Sequence, residues 1–265
     1  MIPKIIHYCW FGGNPKPKLV ERCMASWHRC MPSVSDRESV SEGGEWQYLE
    51  WNERNFDIAS APLYVRQAYE AKKYAFVSDY VRLWALEQYG GVYMDVDFEV
   101  YKAFDVKSQQ ERSDGYGTWD APMDHQAFVG REGSKHQPPM LGVMASEPHG
   151  PWVTTMLHMY DDRSFLLNEH ENRKYDMTTN VSFFAAAGVH NPEWVHIYPV
   201  EYFCPVLTTG EDVRLRSEAI AQRNYCEHKG LHSWSRNGGW KQKVLSLVSP
   251  KMKTKLIKLK RVILG

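Results

Sequence analysis
The segment Phe76 to Tyr89 constrains this chain more than any other: it is apolar on nearly every side, runs into Gly90-Gly91, and gives way at once to an apolar stretch carrying two acids, Val92-Tyr93-Met94-Asp95-Val96-Asp97. A helix that is apolar all round must be covered on every face, which predicts a buried central helix inside a layered domain. This helix nevertheless carries Asp79 and Arg82, three apart and therefore on one face. The glycine pair ends the helix and permits an immediate reversal into a strand. In a strand, Asp95 and Asp97 are two apart and share a face, so they can converge on one hard divalent cation, the usual bridge to a diphosphate. A bare pair of this spacing is expected by chance on the order of once in a chain this long, so its meaning comes from the helix and turn before it.

Around this block the chain alternates strands and helices. Lys4 to Trp10 and Glu45 to Trp51 read as strands, Pro17 to Cys30 and Pro62 to Ala71 as helices, Tyr74 to Tyr89 as the long central helix, and Gly91 to Val100 as the strand holding the paired acids. Lys107 to Gly117 is polar and reads as a loop. Strands are expected at Gln126 to Gly130, Met140 to Ser146, Val195 to Tyr198 and Tyr225 to Lys229, and helices at Pro151 to Tyr160 and Thr178 to Ala187. This alternation predicts an α/β, Rossmann-like, mostly parallel sheet with helices on both faces. Ligands of such sheets sit beyond the carboxyl ends of strands, where Trp10 and Asp95-Val96-Asp97 would lie.

The 265 residues are 43% hydrophobic, enough for one large domain over residues 1–240, followed by a tail over 241–265. The formal net charge of zero conceals an asymmetry, because residues 251–265 hold six basic side chains and no acid, which leaves 32 acids against 26 bases elsewhere. Met252, Leu256, Leu259 and Val262-Ile263 recur at helical spacing between those lysines. The tail therefore reads either as an amphipathic helix lying on an anionic membrane surface or as a solvated terminal helix. No stretch has the length and apolarity of a membrane span, and the first residues lack a signal peptide's regions, so the expectation is a cytoplasmic protein, or one peripheral on the cytoplasmic membrane face. Cys9, Cys23, Cys30, Cys204 and Cys226 are odd in number and contain no Cys-x-x-Cys pair, which argues for reduced thiols rather than a disulfide framework or structural zinc.

Four motifs occur in order: Ile2-Pro3-Lys4-Ile5-Ile6-His7-Tyr8-Cys9-Trp10, Ser78-Asp79-Tyr80-Val81-Arg82, Gly90 to Asp97, and His228 with Ser233-Trp234. Together they resemble the Asp-x-Asp glycosyltransferases of the GT-A fold, the family of yeast mannosyltransferases, alpha-1,4-galactosyl and N-acetylglucosaminyl transferases and bacterial capsule enzymes, and more distantly the glucosylating clostridial toxins. The resemblance implies a metal-dependent retaining hexosyltransferase that moves a sugar from a nucleotide-diphosphate donor, a UDP-sugar ahead of a GDP-sugar, to a glycan or lipid-linked glycan hydroxyl in surface polysaccharide synthesis. It implies Mn2+ or Mg2+ held by Asp95, Asp97 and His228, and no nucleic-acid partner. His232 is a rival to His228, since the family's His-His-x-x-Gly-Ser-Trp stands here as His228-Lys229-Gly230-Leu231-His232-Ser233-Trp234. By the same resemblance Asp79 and Arg82 hold donor hydroxyls and brace the site, Trp10 stacks on the base, His7 contacts the nucleotide or fills the strand, and Ser233 and Trp234 close over the diphosphate. Asn180 follows Thr178-Thr179 where relatives carry Thr-Gly-Pro. Two other readings compete: a haloacid-dehalogenase-type phosphatase, which also uses a strand-borne Asp-x-Asp, and a carbohydrate-binding relative without turnover.

Overall fold
The structure is a computed structural model that describes residues 1–33, 45–107, 109–112, 115–118, 121–131, 139–167, 174–186, 193–204 and 223–230. Ser233, Trp234, His232 and the tail at 241–265 lie outside these residues. All of the described residues belong to one compact unit, Met1–Gly230. In chain order the elements are β1 (Ile5–Cys9), α1 (Lys18–Cys30), β2 (Gln47–Trp51), α2 (Leu63–Glu70), α3 (Tyr74–Tyr89), β3 (Gly91–Met94), β4 (Phe98–Val100), β5 (Gln109–Arg112), β6 (Gly115–Thr118), β7 (Ala127–Arg131), β8 (Pro139–Ser146), α4 (Pro151–His158), α5 (Asn180–Ala186), β9 (His196–Tyr198), α6 (Val200–Phe203) and β10 (Cys226–His228).

Six strands form the main sheet in the order β2-β1-β3-β8-β7-β9. β1 runs parallel to β2 and β3, and β7 parallel to β9, while β8 is antiparallel to both of its neighbours. The α/β class and the mostly parallel sheet hold, with β8 as its one reversed strand. Period-two alternation loads both faces: Ile6, Tyr8, Val92 and Met94 pack with Trp27 of α1 and with Phe98, Phe203 and Tyr225, whereas Cys9 and Tyr93 pack with α2, α3, α4 and α5. The central helix spans Tyr74–Tyr89 and its Val77, Val81, Leu83, Ala85 and Leu86 are fully buried, as its all-round apolarity demands. At the following turn Gly91 has φ 103°, and a Cβ there would come within 2.7 Å of the Ile5 carbonyl oxygen and 3.1 Å of His7 Nε2. Only glycine lets α3 reverse this tightly onto β1.

Two expectations are corrected. The strand expected over Gly91 to Val100 breaks after Met94: Asp95 N–H donates to the Gly142 carbonyl of β8 at 2.7 Å, a turn follows with Phe98 N–H bonded to the Asp95 carbonyl at 3.2 Å, and β4 leaves to pair with β10. Asp95 and Asp97 therefore flank a turn and do not share a strand face. The polar segment expected as a loop holds the β5–β6 hairpin, in register from Gln109 opposite Thr118 to Arg112 opposite Gly115, where no apolar alternation marks the strands.

Candidate active site
Arg82 lies at the centre of the site, 8% exposed on the third turn of α3. Its Nη2 forms an ion pair with Asp79 Oδ1 at 3.1 Å and donates to Asp95 Oδ1 at 3.2 Å, its Nη1 donates to the Leu141 carbonyl at 2.8 Å and its Nε to the Ser78 carbonyl at 3.3 Å. The guanidinium also lies 4.6 Å from the centre of the Tyr93 ring, and the Tyr93 hydroxyl donates to Asp95 Oδ1 at 2.8 Å. A planar fork can address α3, β3 and β8 at once, which a lysine ammonium cannot do. Burial raises Asp79 to about 6, with Arg82 pulling the other way. Burial likewise raises Asp95, against the opposing pull of Arg82. For Arg82, burial disfavours the charge, yet Asp95, Tyr93 and Asp79 together hold its pKa above its usual range. The network thus carries one cation between two carboxylates and is short of positive charge.

On the other side of the turn, Asp97 is buried and its Oδ2 accepts from His228 Nε2 at 3.1 Å. β10 brings this imidazole in by pairing with β4, where His228 sits opposite Phe98 and stacks on its ring at 4.8 Å between centroids. Lys229 N–H closes the pairing on the Asp97 carbonyl at 2.8 Å. The structure therefore joins Asp97 to His228, but Asp95 is drawn away by Arg82 and Tyr93. Among the described residues no group of three or more His, Cys, Asp or Glu is placed to hold an ion, so the expected set of Asp95, Asp97 and His228 is not preassembled. A carboxylate oxygen beside an imidazole nitrogen is a donor pair that fits a divalent cation completed by oxygens from a bound ligand. Gly142 lies under the turn, where a Cβ would meet Asp95 Oδ2 at 2.9 Å and Phe98 at 2.8 Å.

His7 takes the strand-filling alternative. It is fully buried, its Nε2–H donates to the Gly90 carbonyl at 2.8 Å, and its Nδ1 accepts from Trp51 Nε1 at 3.1 Å, so both ring nitrogens are committed within the protein as one neutral tautomer. Burial lowers its pKa to about 4, against the opposing Gly90 bond. With the folded pKa below the ordinary 6.5, the unfolded chain binds the extra proton, so this contribution is complete above pH 6.5 and is lost as pH falls toward 4. Chemical denaturation of wild type and His7→Gln is expected to show their stability difference shrinking by about 2 to 3 kcal/mol between pH 7 and pH 4. A pH-independent difference would show that His7 is not held neutral.

Trp10, just past the end of β1, is partly exposed, with Nε1 donating to the Asn14 carbonyl at 2.6 Å and Lys16 Nζ 5.6 Å from the ring centre. It stays outside both cores, unlike Trp27 and Trp152. Asn180 starts α5, where its Nδ2 donates to the Asp79 carbonyl at 2.6 Å and its Oδ1 accepts from Tyr160 at 2.5 Å. It acts on the site through Asp79. Tyr93, the Leu141 carbonyl, Phe98 and Gly142 were not foreseen; Tyr93 stands within the Gly-Gly-x-Tyr motif, whereas the other three carry no sequence signal.

A family model described as "Glycosyltransferase sugar-binding region containing DXD motif" matches residues 17–114, which include α3 and both acids of the turn. Among solved structures the chain is similar to the PaToxG glycosyltransferase, at 20% identity over 59% of this chain and 58% of that one, TM-score 0.39. It is also similar to mouse xyloside xylosyltransferase 1, at 11% identity over 86% of this chain and 98% of that one, TM-score 0.43. A third is the galactosyltransferase LgtC in complex with donor and acceptor sugar analogs, at 12% identity over 95% of this chain and 99% of that one, TM-score 0.38. The chain spans less than two thirds of the PaToxG chain. The curated proteins gave no match.

Proposed function
We propose, from the DXD-containing glycosyltransferase region over residues 17–114, that this chain is a metal-dependent retaining glycosyltransferase using a nucleotide-diphosphate sugar, with UDP-sugars preferred. The observation that carries this reading is the turn beyond the end of β3, where Asp97 meets His228 and Asp95 is oriented by Arg82 and Tyr93. Asp97 and His228 would hold Mn2+ or Mg2+, and a cation there supplies positive charge against the donor's diphosphate. Asp95, fixed through one oxygen and with its side chain 33% exposed, is suited to a ligated water or a sugar hydroxyl. Arg82, itself paired with Asp79, aims that carboxylate and favours its charged form against burial. Trp10, at the adjacent strand end, offers its ring to the base.

The acceptor would be a hydroxyl of a glycan or lipid-linked glycan, attacking from the face the diphosphate leaves. The fit to surface polysaccharide synthesis at the cytoplasmic membrane face rests on the family resemblance and the basic tail. Among the described residues no helix is long and apolar enough to cross a membrane. A phosphatase needs an unencumbered nucleophilic carboxylate, and the first acid of this pair is bonded to Arg82 and Tyr93.

Thermal-shift titration of UDP-, GDP- and CMP-sugars with Mn2+ or EDTA tests the reading. Stabilisation by a UDP-sugar that EDTA removes is expected, and stabilisation indifferent to EDTA would contradict it. In the same assay Trp10→Ala is expected to weaken UDP about 5- to 150-fold, the worth of roughly 1 to 3 kcal/mol of base stacking. The partly exposed ring predicts a stability cost of about 1 kcal/mol or less. Unchanged affinity with a large drop in melting temperature would remove Trp10 from the site.

A further inference from the structure
β4 and β10 form a ribbon of three residue pairs: Cys226 opposite Val100, Glu227 opposite Glu99 and His228 opposite Phe98. Alternation gives it two distinct faces. Phe98, Val100 and Cys226 are buried, and His228 on that face reaches Asp97. The other face sets Glu227 directly across from Glu99, a like-charge pair that works against the register, and a ribbon of three pairs has little pairing energy to oppose it.

Lys229 sits between the two acids. Its Nζ donates at 2.8 Å to Glu99 Oε2, to Glu227 Oε2 and to the Tyr101 hydroxyl, so all three ammonium protons are engaged. Tyr101 in turn donates to Glu227 Oε2 at 2.7 Å. The side chains of Lys229, Glu99 and Glu227 are only 15 to 23% exposed. Burial works against the ammonium charge but is outweighed by Glu227, Glu99 and Tyr101, which hold the lysine above its usual pKa. Arg22 of α1 adds a smaller favourable charge on Glu99, and the Tyr101 hydroxyl lies 3.2 Å from Glu99 Oε2, but Lys229 is the cation that touches both acids. The same residue's N–H reaches the Asp97 carbonyl, next in sequence to the histidine it helps to place.

The geometry points to Lys229 as a positioning residue: by bridging Glu99 and Glu227 it holds β10 in the register that brings His228 to Asp97, and so sets the site's affinity for its divalent cation. This rests on the glycosyltransferase reading for the cation but not for the register. Amide hydrogen exchange on the full chain without metal reads the register alone. Lys229→Met is expected to speed exchange at positions 227 and 229, whose amides face β4, by about 10-fold or more while leaving the β1 amides unchanged, and Lys229→Met with Glu99→Gln is expected to recover most of the protection.

In a turnover assay with a UDP-sugar, Lys229→Met is expected to raise the Mn2+ concentration for half-maximal rate by about 10- to 100-fold, more than it lowers the maximal rate. Lys229→Arg and the double variant are expected to lie near wild type. Wild-type exchange at position 229 in Lys229→Met overturns the proposal, as does faster exchange with an unchanged Mn2+ requirement. If wild type turns over no nucleotide sugar, the glycosyltransferase reading falls, and the exchange measurement, together with the double variant where Lys229→Met does not fold, still decides for or against the clamp.

Discussion

Asp97→Asn is expected to lower donor turnover by at least about 100- to 1000-fold while moving the melting temperature by only a few degrees. The amide keeps the shape of the carboxylate and an oxygen that can accept from His228, so packing against β10 survives, and the backbone bond from Lys229 N–H to the Asp97 carbonyl is untouched. What is lost is the anionic oxygen that a hard cation needs, and with it the charge stabilisation of the departing diphosphate. Metal-supported hydrolysis of the UDP-sugar in the absence of acceptor, beside a melting curve, separates the two effects. Turnover within a few-fold of wild type would remove Asp97 from the metal site, and a collapse in stability would make it a folding residue instead.

Arg82→Met is expected to have the largest effect on stability, costing about 3 kcal/mol, because it strands two partly buried carboxylates rather than removing a pair. Asp79, Asp95 and the Leu141 carbonyl would all lose the donor that satisfies them. Asp79 already stands at about 6, raised by burial despite Arg82. An acid with a raised folded pKa binds more protons when folded than unfolded, so its contribution is present below the unfolded value and is lost as pH rises through the folded one. Removing Arg82 strengthens that trend. The cost of Arg82→Met is therefore expected to be smaller near pH 5 than near pH 8, and adding Asp79→Asn is expected to recover part of it. A cost independent of pH and unrelieved by Asp79→Asn would mean that the guanidinium contributes packing alone.

Asn180 illustrates where the sequence runs out. Its place in the first turn of the helix expected over Thr178 to Ala187 gives no sign that its side chain reaches 101 residues back in sequence to the Asp79 carbonyl. Lys229 is similar: as one residue in a departure from a motif it carries no meaning until β10 is seen lying antiparallel to β4 with two acids face to face.

The sequence by itself determined the central helix and its bounds, the glycine reversal, the α/β class and the shared helix face of Asp79 and Arg82, because these follow from local periodicity and from what glycine alone permits. Tertiary structure decided the rest. The strand after Gly91 stops at Met94 because the chain turns after Asp95 N–H bonds the Gly142 carbonyl, and β4 leaves for β10, so the two acids are related by a turn and not by strand alternation. His7 and Trp10 look alike as aromatic members of one strand motif, but β2 and α3 bury the first from both sides while the second projects past the end of β1. Which partner each carboxylate takes, Arg82 for Asp95 and His228 for Asp97, depends on contacts 13 and 131 residues apart in sequence. Local preference carries no information at those separations, and only the packed sheet fixes the distances over which charge and hydrogen bonding act.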